Sequence, residues 1–180
     1  MSKPAKSRST AAAPPDDHVD HLVAQWRREL PDLDTEPMTV LGRIYRLGHL
    51  VAGPITASFE ALGLQRGEFD VLGSLLRSGA PYCLTPTELY RSLMISSGGL
   101  TDRLRRLQRA RLITRDASPE DARSLRVRLT AAGKDLAEAA VRADMALEAQ
   151  LVGELSRDER RALAGLLRKL TLVVERRLAV

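Results

Sequence analysis

Apolar residues recur at helical spacing along most of the chain. Val19, Leu22, Val23, Trp26 and Leu30 fall at i, i+3, i+4 and i+7, which predicts an amphipathic helix opened by the acidic caps Asp16 and Asp17. Pro31 and Pro37 bracket a loop. A second helix is expected over residues 38–62, with Leu41, Ile44, Leu47, Val51, Ile55 and Phe59 on its apolar side. Pro54 should kink it and Gly63 should end it. A third helix covers 65–78. Next, Thr85-Pro86-Thr87-Glu88 reads as a capping box with proline at the first helical position, opening a short helix that ends near Leu93. Ser96 or Ser97 can cap a second helix running to Ala110, and the pair reads as a helix-turn-helix. Strands are expected over 112–115 and 124–129, joined by a polar loop containing Pro119. Two long helices over 130–151 and 156–178 finish the chain, the last opened by a Ser156/Glu159 capping box.

These elements describe a mostly α fold with a small β-hairpin wing. It is a winged helix-turn-helix with N- and C-terminal dimerisation helices. The expected organisation is a disordered tail (1–15), N-terminal helices serving dimerisation (16–62), a winged helix-turn-helix lobe (63–130) and C-terminal dimerisation helices (131–180). Apolar helices at both ends of a compact reader call for an intermolecular partner, most simply a twofold homodimer.

Composition narrows the function. The 180 residues are 44% hydrophobic but only 3% aromatic, too few for a module that stacks exposed bases on aromatic side chains. A formal charge of +5 points to a polyanionic partner. No run of eighteen apolar residues exists, so no membrane partner is expected. The polar start resembles no signal peptide, and the single cysteine, Cys83, fits a reducing, cytoplasmic compartment without disulfides or a thiolate metal cluster.

The charge is concentrated where the reader is expected. Leu100, Leu104 and Leu107 share one face of the second helix, leaving Arg103, Arg105, Arg106, Arg109 and Arg111 around the rest. Small residues at its start let backbone amides approach a phosphate and let the helix settle into a major groove. The set expected at duplex DNA is Thr85, Ser96, Ser97, Gly98, Gly99, Thr101, Asp102, Arg105, Arg106 and Arg123. Arg123, in the wing loop, suits a minor groove, whereas Arg115, Arg126 and Arg128 alternate along strands and cannot all share its environment. Each arginine alone is equally well explained as solvated surface. The cluster on a helix-turn-helix is not.

The stretch LTPTELYRSLMISSGGLTDRLRRLQRARLITRDASPEDARSLRVRLTAAG resembles the core of the MarR family of bacterial regulators, and Asp121-Ala122-Arg123-Ser124 looks like that family's Asp-x-Arg-Ser wing signature. The likeness extends through GEFDVLGSLLRSG to most of the chain from Asp16. It implies an obligate dimer whose two recognition helices face successive major grooves. The start, DHVDHLVAQWRRELPDLDTEPMTVLGRIYRL, resembles the extra N-terminal helix of the urate-responsive, PecS-like branch. By that resemblance Trp26 and Arg103 hold a small anion, Asp70 is repelled by its charge, and Arg115 couples the movement to the DNA-binding lobe. Arginine pairs bidentately with a planar anion, tryptophan offers an amphipathic wall, and a carboxylate beside an incoming anion is repelled by roughly a few kcal/mol in a partly buried site. The bland alternatives are Trp26 as core and Asp70 with Arg103 as a static ion pair. Arg105, Gln108 and Asp102 depart from the family's usual residues, so an operator sequence cannot be carried across.

Other functions find less support. His18 and His21 share a helix face without a carboxylate constellation, His49 has no paired nucleophile, and Ser96 and Ser97 have no nearby histidine base, so no enzyme is expected. No cofactor is implied beyond a urate-like effector. A redox sensor through Cys83 needs a cationic neighbour that the local sequence does not supply. An architectural DNA protein without operator preference remains the other alternative.

Overall fold

A computed structural model describes residues 15–93, 99–117 and 125–178 of the chain. The elements in order are α1 (His18–Glu29), α2 (Glu36–Glu60), α3 (Arg66–Arg77), β1 (Cys83–Leu84), α4 (Pro86–Ser92), α5 (Leu100–Arg109), β2 (Ile113–Ala117), β3 (Leu125–Leu129), α6 (Ala131–Leu151) and α7 (Arg157–Leu178). They form two compact units, Met1–Ala52 and Gly53–Val180, with the boundary inside α2 beside Pro54. The expected tail falls outside the described residues except for Pro15.

In the first unit, α1 opens on a reciprocal capping box. Asp17 accepts from the amides of Val19 (2.7 Å) and Asp20 (3.1 Å), while Asp20 accepts from the amide of Asp17 (3.0 Å). Arg43 of α2 then donates to both carboxylates, at 2.9 and 2.7 Å. Its guanidinium holds the Asp20 carboxyl below the usual range, and the carboxylates raise Arg43 in return. Val19 and Val23 are buried. The helices close in at Gly42, where a Cβ would stand 3.0 Å from Val19 Cγ1. One expectation and one alternative change here. Helix α2 starts at Glu36 and takes in Pro37, because a proline in the first turn gives up no intrahelical hydrogen bond. Trp26, on the apolar stripe of α1, is 47% exposed and not core.

The second unit is built around α3. Val71, Leu72 and Leu75 are fully buried, and Phe69 stacks on Phe59 of α2 with ring centroids 4.0 Å apart. Helices α4, α5 and α6 all pack against α3. Gly63 ends the preceding segment with φ at +72°, the left-handed conformation that favours glycine.

The wing sheet departs from the expected hairpin. It has three antiparallel strands in the order β1-β3-β2, with Cys83 opposite Arg128 and Arg115 opposite Val127. The extra strand is only two residues long, too short to register as an alternating pattern. The second helix of the helix-turn-helix also begins later than expected. Its N-cap is Gly99, at φ +75°, rather than Ser96 or Ser97, because the connection closes through a left-handed residue that a serine would adopt only with strain. Ser96 and Ser97 themselves, with Gly98, lie outside the described residues, as do Arg123 and the rest of the wing loop.

Where β3 runs into α6, the chain is stitched to the corner between α5 and β2. Thr130 caps α6 by accepting from the Gly133 amide (3.0 Å), and its own amide donates to the Leu112 carbonyl (3.1 Å). Gly133 leaves no gap: a Cβ there would run into that same carbonyl. Helix α7 opens on the expected Ser156/Glu159 box, with Glu159 accepting from the Ser156 amide at 2.8 Å. None of its residues is buried. Among the described residues no helix is long and apolar enough to cross a membrane.

Candidate functional site

The reader is the α4–α5 pair. Leu104 and Leu107 anchor α5 in the core, at 3% and 1% exposure, so the arginines between them are forced onto the other faces. Thr101, Asp102, Arg105 and Arg109 are exposed. Asp102 pairs with Arg105 at 3.0 Å, one turn on, and so positions a neighbouring arginine. Arg106 is engaged from below: its Nε donates to Glu68 Oε1 of α3 at 2.8 Å. Thr85 is occupied as the cap of α4, accepting from the Glu88 amide at 3.2 Å, while its own amide (2.8 Å) and hydroxyl (2.9 Å) donate to the Glu88 carboxylate and hold that carboxyl below its usual range. Gly99, Thr101 and Asp102 share a shallow depression with Pro86, Thr87 and Tyr90 of α4. Tyr90 is 57% exposed there. Sequence reasoning missed Thr87 and Tyr90, although their i, i+3 spacing on a solvent-facing side of α4 was a usable signal.

The expected effector residues divide between the units. Trp26 stands on α1 in the first. In the second, Asp70 of α3 is half-buried, and burial pushes its carboxyl up against the opposing pull of Arg66, Arg103 and Arg77. Asp70 and Arg103 thus belong to one charge cluster. Arg103 reaches it by lying over Gly67. Arg115 is on β2, with its Nε sheltered from solvent and donating to no acceptor. Arg66 and the buried Glu68 were not foreseen as members of this region. Cys83 is a free, half-buried thiol on β1, and no group of three or more potential metal ligands occurs among the described residues.

Residues 62–124 match the family model described as MarR family. The chain is 37% identical over 149 residues to the HTH-type transcriptional regulator PecS of Dickeya dadantii, spanning 83% of this chain and 90% of that protein. The chain belongs to the MarR family. A second relative, an HTH-type transcriptional repressor of Mycobacterium bovis, is 31% identical over 76% of this chain and 95% of its own length. Among solved structures, a mutant MarR from E. coli complexed with operator DNA superposes with a TM-score of 0.62 at 26% identity, covering 81% of this chain and 96% of that one. These relatives are transcriptional regulators, not enzymes. As a MarR-family protein, the chain is a helix-turn-helix transcriptional regulator, and its mostly helical fold with a small antiparallel sheet is that of the family.

Proposed function

We propose that this MarR-family protein is a repressor that binds a near-palindromic duplex operator as a homodimer and leaves it when a small anion such as urate binds. The DNA part rests on α5, whose buried leucines turn Thr101, Asp102, Arg105 and Arg109 outward, and on the operator complex of its E. coli relative. The dimer part rests on α7. Leu163, Leu166, Leu167, Val174 and Leu178 are 40–67% exposed along one side of a helix with no buried residue, an apolar face that a second copy would cover.

The observation that carries the ligand reading is the Arg115 Nε, buried without an acceptor, in the unit where Arg66, Arg77 and Arg103 surround the half-buried Asp70. A buried donor without a partner costs about 1–3 kcal/mol, which an anionic acceptor would offset. Trp26, half exposed on α1 in the first unit, is assigned to the effector by the family resemblance alone. The coupling between ligand and DNA is bounded by the ligand's differential affinity, about 1–3 kcal/mol in typical cases.

Titration with urate, followed by tryptophan fluorescence and by release from a selected operator, tests the reading. Trp26→Ala should weaken urate binding and leave DNA affinity intact. Asp70→Asn should bind urate at least as well yet transmit less of its effect to DNA. Parent-like behaviour in both variants would remove the effector assignment. Equal affinity for selected and random DNA at physiological salt would replace operator binding with an architectural role.

A further inference from the structure

The outward face of α5 carries an acid where a polyanion is expected. Leu104 and Leu107 fix the rotation of the helix, which turns Thr101, Asp102, Arg105 and Arg109 toward solvent. Two other arginines of α5 are held against α3: Arg103 lies over Gly67, and Arg106 donates to Glu68 at 2.8 Å. Arg105 is left as the outward arginine nearest the start of the helix. Its Nη1 stands 3.0 Å from Asp102 Oδ1, with the two side chains 56% and 62% exposed. A pair this exposed adds little to stability. A carboxylate facing duplex DNA also lowers affinity for every sequence, because it repels the phosphates. Beside the pair, Gly99 and Thr101 border a shallow depression whose small residues let a base edge come close.

Hydrogen-bonding chemistry selects that base pair. An ionised carboxylate only accepts, and a guanidinium only donates. Joined at one edge, Arg105 and Asp102 present donors followed by an acceptor. A G·C pair offers the complement in the major groove, where guanine N7 and O6 accept and the neighbouring cytosine N4 donates. An A·T pair sets the adenine N6 donor between two acceptors, so a carboxylate placed on N6 always has an acceptor on its far side. We propose that Asp102 and Arg105 read one G·C pair of each half-site as a unit, Arg105 donating to guanine N7 and O6 and Asp102 accepting from cytosine N4. Asp102 is a specificity-determining residue that gives up affinity for DNA in general and restores it at one base pair. The inference rests on the operator binding proposed above and deepens it by naming what is read.

Selection of the full chain on a randomised duplex pool, followed by competition against random DNA at fixed salt, tests the proposal. The parent should select half-sites sharing one G·C pair, and 7-deazaguanine at that guanine should weaken binding at least fivefold. Asp102→Asn cancels the charge and adds a donor. It should bind random DNA at least threefold more tightly and lose at least tenfold of the discrimination between G·C and A·T at that position. Arg105→Lys keeps the charge without the fork, so affinity for random DNA should hold within twofold while the same discrimination falls. Parent-like base preferences in Asp102→Asn would overturn the proposal, and a lower melting temperature beside them would assign Asp102 to the α5 dipole alone. Weaker binding of random DNA by Asp102→Asn would overturn it as well. If the parent selects no site at all, operator binding itself fails and takes this inference with it.

Discussion

Arg103 of α5 lies across Gly67 of α3, its Nε and Cζ filling the space that a side chain at position 67 would need and its Cδ 3.0 Å from where a Cβ would stand. The guanidinium is thereby set beside Asp70, three residues further along α3, whose carboxyl it helps to keep charged. A glycine in the first turn of a helix is explained here by what crosses over it.

Gly67→Ala separates packing from function at this point. Alanine favours the helix by about 0.5–1 kcal/mol, and the obstruction is the far end of a flexible side chain, so stability in urea should stay within about 1 kcal/mol of the parent. Arg103, however, must leave its seat. Urate affinity measured by tryptophan fluorescence should fall about fivefold or more. An unchanged affinity would show that this position of Arg103 does not serve the effector.

Glu68 links two elements at once. One oxygen accepts from the Gln65 amide at 2.8 Å, capping α3, and the other takes Arg106 Nε at 2.8 Å. Glu68→Gln keeps one acceptor and removes the charge. With the Arg106 side chain 44% exposed and able to rehydrate, the loss should be about 1–2 kcal/mol rather than that of a fully buried pair. A urea melt measures it, and a double-mutant cycle with Arg106→Ala should return most of it as coupling.

Much of the architecture was written in local signals. The boxes at Thr85/Glu88 and Ser156/Glu159 marked the starts of α4 and α7, and Gly63 marked a stop. The leucine spacing on α5 identified the face that anchors the reader. What escaped were features defined only by tertiary partners. Strand β1 is two residues paired to β3, with no periodicity of its own. Glu68 and Asp144 look like ordinary polar positions on amphipathic helices until the neighbouring helix buries them, to 7% and 8% exposure. Trp26 sits on an apolar stripe yet is 47% exposed, so the alternative reading of it as core does not hold.

Gly133→Ala should be among the more damaging single changes in the second unit. The obstruction is the Leu112 backbone carbonyl, which also accepts from the Thr130 amide and cannot step aside freely. Overpacking of this kind costs about 1–3 kcal/mol, more than the helix propensity of alanine returns. Thermal unfolding should show a drop of several degrees. A neutral or stabilising result would mean that α6 can slide on the α5–β2 corner.

Asp144 gives a pH test with a defined sign. Burial raises its carboxyl above the ordinary value against the pull of Arg66. The folded state therefore holds this proton more tightly than the unfolded chain. Its contribution to stability is present in acid and is lost as pH rises through the raised folded value. Asp144→Asn should accordingly be more stable than the parent at neutral pH, with the advantage shrinking as pH falls toward the ordinary carboxylate range. Parallel denaturation curves across that range would show that the carboxyl titrates as it does in the unfolded chain.

Helix α3 touches both halves of the reader through charged side chains at its two ends. Near its start Glu68 grips Arg106 of α5, and at its last residue Arg77 reaches the carbonyl of Ser92, where α4 finishes. Held at both ends, α3 works like the crossbar of a puppet. A small roll of this one rod would move both strings together, so α4 and α5 would change their angle to a bound duplex in concert.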